Sequence, residues 1–220
     1  MLLATYTNKV KDYCERQFFN RFLSYEADKI IVDNTVGTEY YEHLREIAGY
    51  DVIHIDVNRD PQKTRFLRNV TESANYIRDY FLDNDYRYLI IIESDVIPPK
   101  DLLSLFDDAI YMANFYHDTV GGKDWGAIGG IYYGGFHDFS KAGREELVNR
   151  SHVLSGCTLY KRELLEKHKF RWSYEDLGAF PDAWICHDSP EYAKYDYYKI
   201  VCDHLKDTDG RRGQQKLYSQ

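Results

Sequence analysis

The sequence predicts an α/β protein in which a mostly parallel central sheet carries helices on both faces. Up to about Phe115, segments typical of strands alternate with segments whose apolar residues recur at helical spacing. The run Tyr88–Ile92 is apolar throughout and rich in β-branched residues, as expected for a strand buried on both faces. The segment after Pro61 has a helical apolar face that includes Val70 and Ile77. Such strands need helices on both sides to exclude water.

The predicted elements of the first half follow one another in strand–helix order. Strands are predicted at Leu2–Tyr6, Lys29–Asp33, Asp51–Asp56 and Tyr88–Ile92. Helices are predicted at Lys9–Leu23, at Glu39–Ala48, after Pro61 and at Asp101–Phe115. Gly49 is expected to end the second helix, because glycine readily adopts the left-handed conformation found at helix C-termini.

The alternation weakens after about Asp118, and the remaining elements are less regular. Strands are predicted at Trp125–Tyr133, His152–Tyr160 and Tyr198–Cys202, and helices at Arg162–His168 and Asp182–Ala193, the latter interrupted by Pro190. Glycines inside the first of these strands indicate either close approach of a ligand or another backbone, or a β-bulge. The polar segment 207–220 is predicted to be a mobile tail or a loop that orders on a ligand.

Composition limits the class of protein. A chain of 220 residues, 44% hydrophobic and 29% charged, suits one globular domain spanning 1–220. The net charge of −8 argues against nucleic acid or an anionic membrane as a partner. No apolar stretch approaches the roughly 20 residues that cross a bilayer, and the chain opens directly into a predicted strand rather than a signal peptide. We therefore expect a cytoplasmic protein, or a domain of a longer one. Its four scattered cysteines are expected to be buried free thiols, with disulfides as the alternative.

Two carboxylates, Glu93 and Asp95, follow the strand Tyr88–Ile92 one residue apart. Because the side-chain period of a strand is two, both should project to the same side where the strand ends. Pro98 and Pro99 stop the strand, which places the pair at the edge where open α/β sheets bind ligands. Two adjacent carboxylates repel unless a cation lies between them or one is protonated, and a divalent metal carrying a phosphorylated substrate is the economical explanation. The alternative is a solvated turn.

Six short segments, in order along the chain, match the motifs of one enzyme family. They are Thr5 in the first strand, Ile31–Asn34, Arg68–Asn69, Glu93–Asp95, Ser155–Cys157 with Lys161–Glu163, and the late pair Asp182–Cys186 with Tyr198–Leu205. Over nearly the whole chain this order resembles a GT-A glycosyltransferase of the family-2 type. The acidic triplet stands where that family has Asp-x-Asp but opens with Glu, and Pro181 stands where the family usually has Glu.

The resemblance implies a GT-A fold with a nucleotide-sugar pocket at the carboxyl ends of the strands. The residues it assigns to the donor are Thr5, Asp33, Arg68, Glu93, Ser94 and Arg212. The first three would line the base and ribose, and a carboxylate such as Asp33 can accept the N–H of uracil or of guanine. Arg212, with its basic neighbours, would fold over the diphosphate, or else belong to an exposed basic tail.

The resemblance also implies a divalent metal cofactor, Mn²⁺ or Mg²⁺. Asp95 is predicted to ligate the ion directly, with Glu93 contacting the ribose or a metal-bound water. His204 follows the last strand, and an imidazole among oxygen ligands moves the preference from Mg²⁺ towards Mn²⁺. The alternative for His204 is a surface residue.

A catalytic base is the remaining requirement, because an acceptor hydroxyl is a poor nucleophile and an inverting transferase needs a carboxylate beside it. The resemblance assigns this role to Asp182, with Asp188 as its rival. Glu175 and Asp176 compete for the same role. The alternative for Asp182 is an ordinary helix N-cap.

The resulting prediction is a metal-dependent transferase that moves a hexose, with inversion, from a UDP- or GDP-sugar to the hydroxyl of a glycan or glycoconjugate acceptor. A nucleotidyltransferase shares the sheet and the metal but normally carries a Gly-rich basic loop after its first strand, and Thr5–Lys9 lacks glycine. A metal-dependent phosphatase of the haloacid-dehalogenase type normally has its nucleophilic Asp after the first strand of the core. A non-catalytic carbohydrate-binding module would leave Glu93, Asp95 and His204 unexplained.

Overall fold

A nine-stranded sheet forms the centre of the protein, in strand order β3-β2-β1-β4-β8-β6-β9-β5, with β7 paired to β9. The computed structural model describes residues 1–49, 52–55, 64–132, 143–144, 146–153, 156–173 and 180–205, without the side chains of 64–66. The strands are β1 Leu2–Thr7, β2 Asp28–Asp33, β3 Val52–His54, β4 Tyr88–Ile92, β5 Val96–Ile97, β6 Trp125–Tyr132, β7 Leu147–Arg150, β8 Cys157–Lys161 and β9 Ala193–His204.

Six α-helices and a 3₁₀ helix accompany this sheet in the described part of the chain. The 3₁₀ helix spans Lys9–Cys14, and the α-helices are α1 Glu15–Phe22, α2 Glu39–Ala48, α3 Thr64–Asp83, α4 Leu102–Val120, α5 Arg162–Lys167 and α6 Pro181–Asp188. Within this part, no helix combines the length and apolar character needed to span a bilayer.

The sheet is parallel in its first half and mixed in its second. β1 pairs in parallel with both β2 and β4, and β2 with β3. β8 lies antiparallel between β4 and β6, while β6 and β9 are parallel. The weakening of the strand–helix alternation after about Asp118 therefore coincides with the change to mixed pairing.

Helices cover both faces of the sheet, which confirms the predicted α/β class. On one face, α1, α2 and α4 pack against Leu3, Ile31 and Ile90. On the other face, α3, α5 and α6 pack against the sequence neighbours of those strand residues, such as Leu2 and Ile91. The alternation of neighbouring side chains between two apolar layers explains why β4 has no polar residue.

Several predicted boundaries are exact, and several are wrong. The helix Glu39–Ala48 and the strand Tyr88–Ile92 agree with the structure, and Gly49 ends that helix with a φ of 61°. The predicted strand His152–Tyr160 is wrong, because the chain bends at 151–152 and the strand begins at Cys157. The predicted helix Asp182–Ala193 ends early, at Asp188, and Ala193 already belongs to β9.

The glycines of β6 belong to β-bulges. The register between β6 and β9 shifts between Trp125 and Ala127 and again between Gly129 and Ile131. At Gly130, within the second shift, an added Cβ would meet Ile200 at 2.6 Å. The structure thus favours the bulge over the close approach of a ligand. The four cysteines are buried and free, as expected.

Candidate active site

Strand pairing brings Asp95 and His204 together. β4 ends at Ile92, the chain turns through Glu93–Asp95, and β5 then pairs antiparallel with the end of β9, with Val96 opposite His204. The backbone N–H of Leu205 donates a 2.8 Å hydrogen bond to the carbonyl oxygen of Asp95. The turn that carries the acids is therefore fixed to the end of the last strand.

A glycine allows this turn to pack closely against β8. The N–H of Glu93 donates to the carbonyl oxygen of Gly156 at 2.6 Å. A Cβ added at Gly156 would overlap Cγ2 of Val96 and lie 3.2 Å from Cβ of Glu93. Any larger residue at 156 would therefore push against the segment that carries both acids.

Asp95 lies between two basic side chains. Its Oδ1 is 2.8 Å from Nζ of Lys11, and its Oδ2 is 3.5 Å from Nε2 of His204. Burial alone would raise the pKa of Asp95, but the Lys11 ammonium and His204 outweigh it and hold the pKa well below its usual range. In turn, the Asp95 carboxylate raises the pKa of His204. Asp95 is therefore a carboxylate at neutral pH.

Glu93 faces the same space from a less buried position. Tyr6 donates its hydroxyl to Oε1 of Glu93 at 3.2 Å, and Nζ of Lys11 lies 3.8 Å from Oε2. Between the two acids, the Ser94 hydroxyl is buried and has no hydrogen-bond partner within the described residues. A buried hydroxyl without a partner is costly and is a ready contact for a ligand.

Asp182, the predicted base, lies on α6. Pro181 occupies the first position of this helix, which suits proline because the first N–H has no partner within the helix. Asp182 is therefore in the first turn rather than at the N-cap, which is Phe180. Burial, and then repulsion from Glu93, raise the pKa of Asp182 to about 7, although Oδ1 accepts the N–H of Ala183 at 2.9 Å.

Three tyrosines connect the two acidic sides electrostatically. Burial comes first in raising the pKa values of Tyr6, Tyr132 and Tyr160, and the charges of both Glu93 and Asp182 add to it. The ring of Tyr132 also lies edge-on to His204, with centroids 5.1 Å apart. The acidic turn and the start of α6 are therefore close enough for their charges to act on the same tyrosines.

Asp188, the rival base, has a different environment. The Arg171 guanidinium forms a two-pronged ion pair with its carboxylate, with Nε to Oδ2 at 2.5 Å and Nη2 to Oδ1 at 2.8 Å. This pairing lowers the pKa of Asp188 to about 2. A carboxylate engaged in this way is a poor proton acceptor.

The predicted base pocket lies at the ends of β1–β3. Asp33 is fully buried: Oδ1 accepts the N–H of Thr35 at 3.0 Å, and Oδ2 lies 2.8 Å from Nδ1 of His54. Thr5 is also fully buried, two residues before β1 ends at Thr7. Asp33 thus holds His54 in place at the strand end.

The other predicted donor residues are dispersed. Arg68 is exposed on α3, where its Nε lies 2.7 Å from Oε1 of Glu72. Arg212 lies outside the described residues, as do Glu175, Asp176 and the proposed tail 207–220.

Lys11, Tyr6 and His54 take part in this site although the sequence did not single them out. Lys11 follows β1 in the 3₁₀ helix, and its contacts with Asp95 and Glu93 depend on the tertiary fold. The available signal was electrostatic: two neighbouring carboxylates need a positive charge, and basic residues follow the first strand, whose end lies at the same sheet edge.

The donor atoms at Asp95 fit a hard divalent ion with few protein ligands. The described residues contain no group of three His, Cys, Asp or Glu side chains arranged to hold a metal. Asp95 and His204 nevertheless converge, and the Lys11 ammonium beside both acids marks a position that attracts positive charge. Mg²⁺ and its relatives are often bound by one or two protein ligands, with substrate phosphates completing the shell.

Comparison with known proteins supports the fold. No protein-family model matches the chain, and no curated protein sequence matches it. A mannosyltransferase from Pyrobaculum calidifontis, solved with GDP-Man and Mn²⁺, matches at a TM-score of 0.61 and 12% identity over 98% of this chain. This chain spans only 59% of that one. The inositol-1-phosphate CTP transferase of T. maritima matches at a TM-score of 0.51 and 11% identity, over 99% of this chain and 94% of that one.

These matches define a class of fold. The chain has the α/β fold of nucleotide-diphospho-sugar transferases, as the GT-A prediction required. At 11–12% identity the likeness concerns the fold alone, and membership of family 2 stays a prediction.

Proposed function

We propose that this protein is a metal-dependent glycosyltransferase that moves a hexose from a UDP- or GDP-sugar to a hydroxyl of a glycan or glycoconjugate. The observation that carries the proposal is that Asp95 lies 3.5 Å from His204 beside Glu93, while Asp182 is close enough to Glu93 for their charges to interact. We further propose that residues 1–220 form one such domain. The likeness to a mannosyltransferase solved with GDP-Man makes GDP-mannose the first donor to test.

The donor is proposed to lie along the strand ends, with its base and ribose near Thr5, Asp33 and Arg68. Asp33 is buried and pairs with Nδ1 of His54, so it is proposed to act chiefly by orienting this imidazole towards the nucleotide. Nε2 of His54 is the ring nitrogen that Asp33 does not contact. Ser94 and Glu93 then meet the ribose or diphosphate, and the Ser94 hydroxyl gains the partner that it lacks. Arg212 is proposed to contact the diphosphate from the C-terminal segment.

Asp95 and His204 would hold Mn²⁺ or Mg²⁺, with Glu93 in support. The bound ion would act as a Lewis acid and neutralise the charge that develops on the departing diphosphate. Asp95 is suited to ligation because it stays ionised, and the neighbouring imidazole favours Mn²⁺ over Mg²⁺.

Asp182 is proposed to be the general base. The acceptor oxygen forms a bond to the anomeric carbon while the bond from that carbon to the β-phosphate oxygen breaks, and the bonding electrons leave with the diphosphate. The acceptor proton passes to Asp182. A base with a pKa of about 7 is half ionised at neutral pH and matches this task, whereas Asp188 is held by Arg171.

A nucleotidyltransferase is the second candidate, and the position of Lys11 favours it. That class places a basic loop after the first strand, and Lys11 follows β1 and reaches the acidic pair. Its substrates would be a nucleoside triphosphate and a sugar phosphate. The likeness to a CTP transferase is compatible with this reaction but shows only the fold.

One binding panel separates these functions. Calorimetry is carried out with GDP-mannose, UDP-sugars and CTP, each with and without Mn²⁺. Mn²⁺-dependent binding of a nucleotide sugar, followed by its loss when an acceptor glycan is added and by release of GDP or UDP, supports the glycosyltransferase. Preferential binding of CTP would favour the nucleotidyltransferase, and glycan binding that ignores nucleotide and metal would indicate a binding module.

A further inference from the structure

Lys11 lies beside the two carboxylates of the acidic turn, whose mutual repulsion a cation reduces. Its ammonium is 2.8 Å from Oδ1 of Asp95 and 3.8 Å from Oε2 of Glu93, and its side chain is only 16% exposed. Asp95 is therefore already neutralised by a group that belongs to the chain. A divalent ion that ligates the same carboxylate must either displace this ammonium or share the carboxylate with it, and two cations a few ångströms apart repel strongly.

The segment that carries Lys11 is tied both to the chain after β2 and to the acidic turn. At its start, Asn8 donates to Oδ1 of Asn34 at 2.8 Å, and the N–H of Lys9 donates to Oγ1 of Thr35 at 2.9 Å. At its end, the Cys14 thiol lies 3.1 Å from the carbonyl oxygen of Ser94. The segment thus connects the end of β2, where the base is proposed to bind, with the acidic turn.

The Lys11 side chain can move without moving this segment. The 3₁₀ helix is anchored at both ends, and its backbone leaves the helical region at Lys11, with φ of −101° and ψ of 16°. A lysine has four rotatable side-chain bonds and no fixed geometry for its three N–H donors. Its ammonium can therefore exchange one anionic partner for another nearby while the backbone stays in place.

We propose that Lys11 is a built-in cation that competes with the divalent metal for Asp95 and is released to the donor diphosphate when the metal binds. The inference rests on the proposed metal site and adds a positioning residue to it. In the free protein, Lys11 offsets one of the two negative charges of the acidic pair. Release costs Lys11 its nearest anionic partner, Asp95, and the donor diphosphate replaces it, so metal and donor bind more tightly together than either does alone.

The test is the affinity of the protein for Mn²⁺ alone. It is measured by calorimetry and by loss of the electron paramagnetic resonance signal of free Mn²⁺. Lys11→Met removes the competing charge and keeps the chain length, so Mn²⁺ should bind at least about tenfold more tightly than to the wild type. Lys11→Arg keeps the charge and should stay within about threefold of the wild type.

A matched control removes a similar lysine elsewhere. Lys161 is also mostly buried and lies 2.6 Å from a carboxylate oxygen of Asp124, at the opposite end of β4 from the acidic turn. Lys161→Met should leave Mn²⁺ affinity unchanged. If Lys11→Met is only partly folded, the rise in melting temperature on adding Mn²⁺ replaces calorimetry, and it should exceed the rise in the wild type.

The outcomes separate this inference from the proposed function. Unchanged or weaker Mn²⁺ binding in Lys11→Met, beside clear binding to the wild type, overturns the competition and leaves the metal site standing. Tightening in Lys11→Arg or Lys161→Met as large as in Lys11→Met also overturns it, because loss of this particular charge would not be the cause. If neither the wild type nor Lys11→Met binds Mn²⁺, even with GDP or UDP present, both the metal site and the inference fail.

Discussion

The Nε2 atom of His204 lies 3.5 Å from Oδ2 of Asp95, although the two residues are far apart in sequence. Two backbone features produce this proximity: the pairing of β5 with the end of β9, and the hydrogen bond from Leu205 to the carbonyl oxygen of Asp95. Imidazole nitrogen and carboxylate oxygen are both ligand types that transition metals accept, and this proximity underlies the proposed metal site. The acidic turn is thus a rigid part of the sheet edge.

Asp182→Asn should lower turnover by roughly 10²–10⁴ while leaving donor affinity nearly intact, because the amide cannot accept the acceptor proton. Single-turnover kinetics with donor and acceptor check this, and Asp188→Asn is the matched control on the same helix. A normal rate in Asp182→Asn with a collapse in Asp188→Asn would move the base to Asp188. Retention of anomeric configuration in the product would reject the inverting mechanism.

The stability of Asp182→Asn shows whether a lower rate comes from unfolding. The pKa of Asp182 in the folded protein, about 7, is above its usual value, so the folded state binds the proton more tightly than the unfolded state. Stability from this group is present at low pH and is lost as pH rises towards 7. Asp182→Asn removes that loss, so at pH 8 it should be at least as stable as the wild type in urea unfolding.

The pH dependence of kcat/KM should follow Asp182. The base must be ionised, so kcat/KM should fall as the pH drops below about 7. Glu93 contributes to the raised pKa by repulsion, so Glu93→Gln should move this acidic limb to lower pH, whatever it does to the maximal rate. An acidic limb that stays in place in Glu93→Gln would mean that the charge of Glu93 does not act on Asp182.

Gly156→Ala should destabilise the protein by about 1–3 kcal/mol, because the new Cβ would overlap Val96 and press on Glu93. It should also weaken Mn²⁺ binding, since the acidic turn must shift. Denaturant unfolding and Mn²⁺ titration measure the two effects. Gly122→Ala is the control, because a Cβ there meets nothing within 4 Å; an equal loss in both variants would refute the packing argument.

Asp33→Ala should weaken nucleotide binding by roughly tenfold to a hundredfold, because it removes the charged hydrogen bond that orients His54. Mn²⁺ affinity without nucleotide should not change, since Asp33 does not contact the acidic turn. Calorimetry with GDP and UDP measures both. Weak, equal binding of all nucleotides, unaffected by Asp33→Ala, would contradict the placement of the base.

Local sequence signals were sufficient for the elements whose character is local. β4 is predicted exactly because an unbroken apolar run requires burial on both faces, and α2 because its apolar spacing and Gly49 define both ends. The strand predicted at His152–Tyr160 fails because β7 and β8 are set by their partners β9, β4 and β6. Propensity along the chain contains no information about such partners.

In the candidate site, too, some features are visible in the local sequence and others depend on the tertiary fold. The acidic pair is visible in the sequence because both carboxylates follow one strand. The contact of Lys11 with Asp95 is not, because it depends on how the 3₁₀ helix after β1 lies across the end of β4. The raised pKa of Asp182 likewise depends on its burial and on the approach of Glu93, which only the fold provides.

Asp95→Asn tests the central claim most directly. The substitution keeps the shape of the side chain but removes the charge that is proposed to hold the metal. Nucleotide binding is measured by calorimetry with and without Mn²⁺, using the donor or nucleotide that the wild type binds best, and thermal unfolding confirms that the variant is folded. We expect the Mn²⁺-dependent part of the affinity to disappear. A variant that binds Mn²⁺ and nucleotide as tightly as the wild type would contradict the account.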